Sequence, residues 1–191
     1  MGTEQQIQLF NGGAPGSAAT WSTLVYARAW SINTVMAGIL NAGARVLRIT
    51  RIQIINTTAT AVSGTLSVGE IRRYTGVTSW SPTTTSVVTT PYDSTNSALS
   101  SVTIGHSALP TTSVYEVVKP YTVGNDEVTL AGITLGAING IPLIGTVWDL
   151  AFAEGEMQHL TIRNNEMLML FNWIGAAGTA DFWIEFTDAA T

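Results

Sequence analysis

Only a few side chains in this sequence could carry chemistry, and their spacing decides what chemistry is open to them. There are two histidines, His106 and His159. Serine hydrolysis needs a nucleophile, a base and a group that orients the base. Gly105-His106-Ser107-Ala108 brings a serine beside a histidine, but it is not a G-x-S-x-G elbow: the histidine takes the variable position and no second glycine closes the turn. His106 reads as a loop residue and His159 as the opening of a strand. Paired carboxylates would suit glycoside hydrolysis, with Asp149, Glu154, Glu156 and Glu166 as candidates. Glu154-Gly155-Glu156 has the composition of a solvated turn. Asp149 alone lies in an apolar strand, where it fits the partner of a strand arginine better than a general acid.

Metal and phosphate chemistry find no better footing. No HxH, HExxH or EF-hand spacing occurs. Asn125-Asp126-Glu127 offers oxygen ligands but follows Gly124 as a turn would. Gly12-Gly13-Ala14-Pro15-Gly16 neither leaves a strand nor enters a helix, so it is no phosphate loop. Asn56-Thr57-Thr58 matches a glycosylation sequon, which matters only in a secretory pathway. The chain has no cysteine, which removes disulfides, thiolate metal sites and cysteine nucleophiles together. The sequence therefore predicts a protein that is not an enzyme and carries no cofactor.

Charge is scarce. Asp, Glu, Lys and Arg make up 11% of the 191 residues, against about 25% in an average soluble domain. Hydrophobic residues reach 46%, and mean hydropathy is +0.26. A monomer in water normally covers itself with charge, so this composition fits a surface largely covered by neighbours. The net charge is −5, with Lys119 the sole lysine. Arg45, Arg48, Arg51, Arg72 and Arg73 fall inside predicted strands and not in a basic tail. Nucleic-acid binding, which wants clustered and accessible cations, is not expected. Arg51 and Arg73 are candidates for pairing with carboxylates at subunit contacts.

The elements that must position these residues are strands. Residues 1–20 begin polar and run through Asn11-Gly-Gly-Ala-Pro-Gly-Ser-Ala-Ala19, a stretch that builds no core and reads as an extended arm. Ile7, Leu9 and Phe10 are its candidate contacts with a neighbour. Met1 to Ile7 lacks the charged start and apolar centre of a secretory signal. Residues 21–191 form a single β domain in which period-two patterning dominates. Trp21–Trp30 is rich in strand formers. In Arg45–Ile55, Leu47 and Ile49 share one parity and Ile52 and Ile54 the other, which predicts a β-bulge near Thr50 or a strand buried on both faces. This strand and Val62–Tyr74 are expected to form a hairpin.

The Ser/Thr/Pro stretch from Gly76 to Pro110 holds short strands near Val87-Val88 and Val102–Ile104. Val114–Val118, Thr146–Phe152 and His159–Arg163 follow. A C-terminal hairpin joins Glu166–Ile174 to Ala180–Thr187, with Phe182, Ile184 and Phe186 on one face. Val35, Met36, Ile39 and Leu40 have helical spacing over a short segment. Val128–Trp148 is 21 residues without a charge and carries Gly132, Gly136 and Gly140. Asn139-Gly140 and Pro142 interrupt it as a turn would, so it reads as short strands or a loop and not as a membrane span. Trp173 and Trp183 are core or contact anchors. Trp80, in the Thr/Ser loop, is either packed beneath that loop or exposed to a sugar or a protein partner. The expected fold is an all-β antiparallel β-sandwich, jelly-roll-like, with an extended N-terminal arm.

Val46–Arg73, with Thr90-Pro-Tyr-Asp-Ser-Thr-Asn-Ser-Ala-Leu99, resembles a segment of virion structural proteins of tailed bacteriophages. Leu160–Phe186 is similar to the ending of those chains, which usually carry a glycine before the acidic residue where this one has Asn165-Glu166. Together the matched stretches cover about half of the chain. The resemblance is one of strands and turns, with no short functional motif to carry over. It implies a capsid decoration (cement) protein, often a trimer, that binds the major capsid protein at the capsid surface after assembly in the host cytoplasm. A tail or fibre module that binds host glycan is the alternative.

Overall fold

The computed structural model describes residues 19–57, 66–96, 99, 101–112, 114–124, 144–149, 160–174 and 178–189. These contain eleven strands: β1 (Ala19–Ala29), β2 (Thr34–Asn41), β3 (Val46–Asn56), β4 (Leu66–Thr75), β5 (Val87–Pro91), β6 (Val102–Gly105), β7 (Tyr115–Gly124), β8 (Ile144–Asp149), β9 (Leu160–Ile162), β10 (Glu166–Asn172) and β11 (Thr179–Ala189). They build two antiparallel sheets that pack face to face as a β-sandwich. Sheet A has the order β5-β1-β11-β3-β8, with β9 also on β3; sheet B has the order β6-β2-β10-β4-β7.

The pairing has a simple logic. β1 pairs with β11, β2 with β10, β3 with β8 and β4 with β7. That is a long ribbon folded back on itself, first strand against last and so inward. Rolling the ribbon places β11 beside β3 and β10 beside β4. The chain therefore changes sheet at nearly every connection. This corrects two expectations. β3 and β4 are not a hairpin, nor are β10 and β11: in each case one strand lies in sheet A and the other in sheet B. A two-residue turn would hold neighbours about 4.8 Å apart, whereas residues 173–178 are enough chain to cross the roughly 10 Å between sheets.

Both faces of β2 are buried, which is why its sequence mimics a helix. Met36, Ala37 and Ile39 face the core between the sheets, while Val35 and Leu40 join a second cluster on the outer side. A bulge at Met36 resets the alternation, since Leu170 pairs with Ala37 and Phe171 with Val35. A run that is apolar on both faces has no period to read. The bulge in β3 does fall at Thr50: Glu185 pairs with Arg51 and Phe186 with Ile49. The extra residue brings Leu47, Ile49, Ile52 and Ile54 into one core. Phe182, Ile184 and Phe186 of β11 meet them there, all at 0% exposure.

The short strands β5 and β6 lie within the Ser/Thr stretch, at the positions its valines and isoleucine predict. Each extends one sheet at the same side of the sandwich, β5 beyond β1 and β6 beyond β2. β1 begins at Ala19, so the last two residues of the expected arm belong to the sandwich. Ile7, Leu9 and Phe10 lie outside the described residues, as do His159, Glu154, Glu156, Asn125–Glu127, Thr58 and 125–143.

Candidate functional site

The two outer faces of the sandwich are built differently, and sheet B carries the candidate site. Part of its outer face is roofed by the segments that follow β4 and β6. Val77 and Trp80 pack there against Val35, Leu40, Tyr74, Met167, Met169 and Phe171. Trp80 Nε1 donates to the Ala108 carbonyl at 2.9 Å. Gly38 makes the room: a Cβ there would stand 2.8 Å from Met167 Cε and 3.0 Å from Trp80 Cη2. Trp80 is thus only 8% exposed. It is a packing residue beneath its loop, not a ring offered to a sugar or a partner, because sheet B has an apolar outer surface that needs a cover.

Toward the β7 edge the same face carries an arginine in an aromatic setting. Strand alternation puts Glu70, Arg72 and Tyr74 outward while Ile71 enters the core. The Arg72 guanidinium carbon lies 3.6 Å from the ring centre of Phe171, 4.2 Å from Tyr115 and 4.9 Å from Trp173. Its Nε pairs with Glu70, and one terminal nitrogen donates to the Tyr74 hydroxyl at 3.4 Å. Burial works against the Arg72 charge, but the bonds to Tyr74 and Glu70 outweigh it and hold the guanidinium more firmly protonated than usual. Since Glu70 balances that charge, the surface presents ring faces and not a free cation.

Trp173 is 43% exposed, Tyr115 38% and Val117, opposite Arg72 in the β4–β7 register, 50%. Phe171 and Trp173 meet edge to face, ring centres 5.6 Å apart. Gly69 fixes the backbone under them. A Cβ there would stand 2.4 Å from the Phe171 carbonyl oxygen, to which the buried Tyr121 hydroxyl donates at 3.2 Å. Asn172 closes the end of the patch, its Nδ2 donating to the carbonyls of Ser31 and Ile174 at 2.9 and 2.8 Å. The exposed Ile32 and Ile174 therefore gather at the same end as Trp173.

The outer face of sheet A is mixed: Val88, Leu24 and Trp183 lie side by side across it, and next to them runs a polar row. Arg51 lies between two carboxylates, with Nε 3.0 Å from Asp149 and a terminal nitrogen 3.5 Å from Glu185. The Tyr92 hydroxyl donates to Glu185 in turn. Asp149 is thus the partner of a strand arginine, as its setting suggested, and Arg51 spends its charge within the subunit. Glu166 accepts from the Arg163 amide at 2.8 Å and closes the turn between β9 and β10. Arg73 lies opposite Glu116 in the register with β7, and its Nε is buried without a hydrogen-bond partner. Among the described residues no group of three His, Asp or Glu side chains could hold a metal ion.

His106 is buried. Its Nδ1 meets Ser107 Oγ at 2.7 Å and its Nε2 meets the Thr85 carbonyl at 2.9 Å. Burial pushes its pKa below the usual histidine value, against the Thr85 bond that raises it, and the Arg28 charge lowers it further.

Sequence reasoning named Trp173 as a core or contact anchor, and the structure leaves it outside the core and 43% exposed. It did not find the Arg72 cluster. The one available signal was Glu70-x-Arg72-x-Tyr74, three polar groups on one face of a strand. Among the described residues no helix is long and apolar enough to cross a membrane. No family model, curated protein or solved structure matches this chain.

Proposed function

We propose that this chain is a non-enzymatic virion structural protein of a tailed bacteriophage, a capsid decoration (cement) protein that stabilises the capsid through contacts between subunits. The observation that carries the reading is the pair of exposed rings, Trp173 and Tyr115, backed by the buried Arg72 on sheet B. Trp, Tyr and Arg dominate the energetic centres of protein interfaces, and a contiguous apolar patch on a soluble surface marks a contact. A chain that is only 11% charged fits such coverage by neighbours. The rolled ribbon pairing is read as a jelly roll, an architecture of viral capsid and lectin domains. The resemblance of Val46–Arg73 and Leu160–Phe186 to phage virion proteins points the same way.

The partners in this reading are further copies of the chain, with a trimer favoured, and the major capsid protein at the capsid surface. The mechanism is mechanical: a rigid sandwich presents ring faces that bridge neighbouring capsomers. Trp173→Ala and Tyr115→Ala should each weaken co-sedimentation with assembled particles by about 30-fold, the effect of losing a ~2 kcal/mol anchor, while the circular dichroism of the free protein stays unchanged. Undiminished binding by both variants would remove the patch from the interface. Glycan binding by a tail or fibre module is the second reading, favoured by the exposed Trp173 ring. Binding on a glycan array that is lost with Trp173→Ala, together with no binding to particles, would select it.

A further inference from the structure

His106, Ser107 and Ala108 form a tight turn after β6. The Ala108 amide donates to the His106 carbonyl at 3.0 Å, two residues back, and Ser107 sits at the apex with φ +73°. This is a γ-turn of the rare, strained hand, and such a backbone persists only where its surroundings hold it, at a cost of roughly 1–3 kcal/mol. Here they do. The Ser107 amide donates to the Val35 carbonyl at 3.0 Å, the Ala108 carbonyl holds Trp80 Nε1, and the His106 backbone bridges Thr83 in both directions.

The side chains form one directed hydrogen-bond chain. Arg28 donates to Ser107 Oγ at 2.9 Å, so the hydroxyl proton is free to point at His106 Nδ1, 2.7 Å away. The proton of His106 is then on Nε2, donated to the Thr85 carbonyl. Ser107 is exposed while His106 is buried. A hydroxyl is thus presented to solvent with a base on its proton, an orienting acceptor behind that base, and a cation on its oxygen.

We propose that Ser107 is an activated nucleophile that accepts an acyl group from an activated ester, with His106 as its general base. The Ser107 Oγ–acyl carbon bond forms as the bond from that carbon to the alcohol oxygen breaks. The Oγ proton passes to His106 Nδ1 and then to the departing alkoxide, so the products are acyl-Ser107, the free alcohol and neutral His106. Arg28 stabilises the oxygen as it gains charge. This goes beyond the structural role proposed above and does not depend on it.

The test incubates the full chain with p-nitrophenyl acetate and maps the acetylated residue by mass spectrometry, taking the exposed Ser79 and Ser94 as internal controls. Ser107 should be labelled selectively, and Ser107→Ala should abolish that label. His106→Gln should slow it about 100-fold or more, the usual contribution of a general base. In the wild-type chain the rate should be level above pH 6.5 and fall with an apparent pKa below that value, because burial and Arg28 keep His106 neutral. This profile needs no variant to fold. Labelling of Ser107 no faster than of Ser79 and Ser94, or a rate that climbs continuously with hydroxide concentration, would leave the cluster as a latch that holds a turn.

Discussion

Arg51 and Arg72 sit on the outer faces of opposite sheets and meet opposite conditions. The Arg51 side chain is 35% exposed, and its two carboxylates lie in a polar row across sheet A. Arg72 is 6% exposed, pressed among three aromatic rings and paired with Glu70. Arg51 is itself open to water and divides its charge between two carboxylates, whereas Arg72 is sealed in with Glu70. The carboxylates differ less, with Asp149 5%, Glu185 13% and Glu70 10% exposed. The same residue type on the same kind of strand is an adjustable surface pair in one sheet and a structural strut in the other. The strut is what lets sheet B show ring faces to a partner without exposing an unpaired charge.

The largest effect expected from breaking this contrast comes at the strut. Arg72→Ala leaves Glu70 buried without its partner and should cost roughly 3–5 kcal/mol of folding stability, read as a shift of the urea midpoint. The double substitution Glu70→Leu with Arg72→Met should recover most of that loss, since an apolar pair of similar volume suits this aromatic setting. A double variant as unstable as Arg72→Ala would show that the charges themselves hold the rings in place.

Arg51→Ala should cost less than Arg72→Ala, about 1–2 kcal/mol, because Arg51 is itself 35% exposed and salt screens it, although Asp149 is only 5% exposed. Measured again in high salt, the difference from wild type should shrink for Arg51 and persist for Arg72. If the two variants responded alike to salt, the distinction between the faces would fail.

This contrast also marks what the sequence could disclose. That Asp149 pairs with a strand arginine was legible, because it is a lone aspartate in an apolar strand; that the partner is Arg51, expected at a subunit contact, was not. The bulge at Thr50 was legible too, since Leu47, Ile49, Ile52 and Ile54 break parity at one point. The Arg72 cluster was not, because Phe171, Tyr115 and Trp173 come from strands that meet only after the ribbon rolls. The sheet assignment was hidden for the same reason. β3 and β4, or β10 and β11, look like hairpins to any reading that pairs neighbours in sequence, and what separates them is the need of each strand to bury a face against the other sheet. Trp80 was left open between packing and exposure, for nothing in the Thr/Ser stretch announces that sheet B needs a roof.

That roof should give the sheet B side a sensitivity to mild acid. His106 is part of it and is neutral when folded, with its pKa held below the usual histidine value of 6.5 by burial, against the Thr85 bond, and by Arg28. A base with a depressed folded pKa contributes its full stability above the unfolded pKa. As pH falls below 6.5 the unfolded chain takes up a proton that the folded chain refuses, so stability declines until the folded pKa is passed. The contribution of this one group is best read as a difference. His106→Gln should flatten the slope of stability against pH below 6.5. An unchanged slope in the histidine variant would mean that His106 is protonated as readily in the fold as in the open chain, and the bond between Ser107 and His106 would then have to run from Nδ1 to the hydroxyl oxygen.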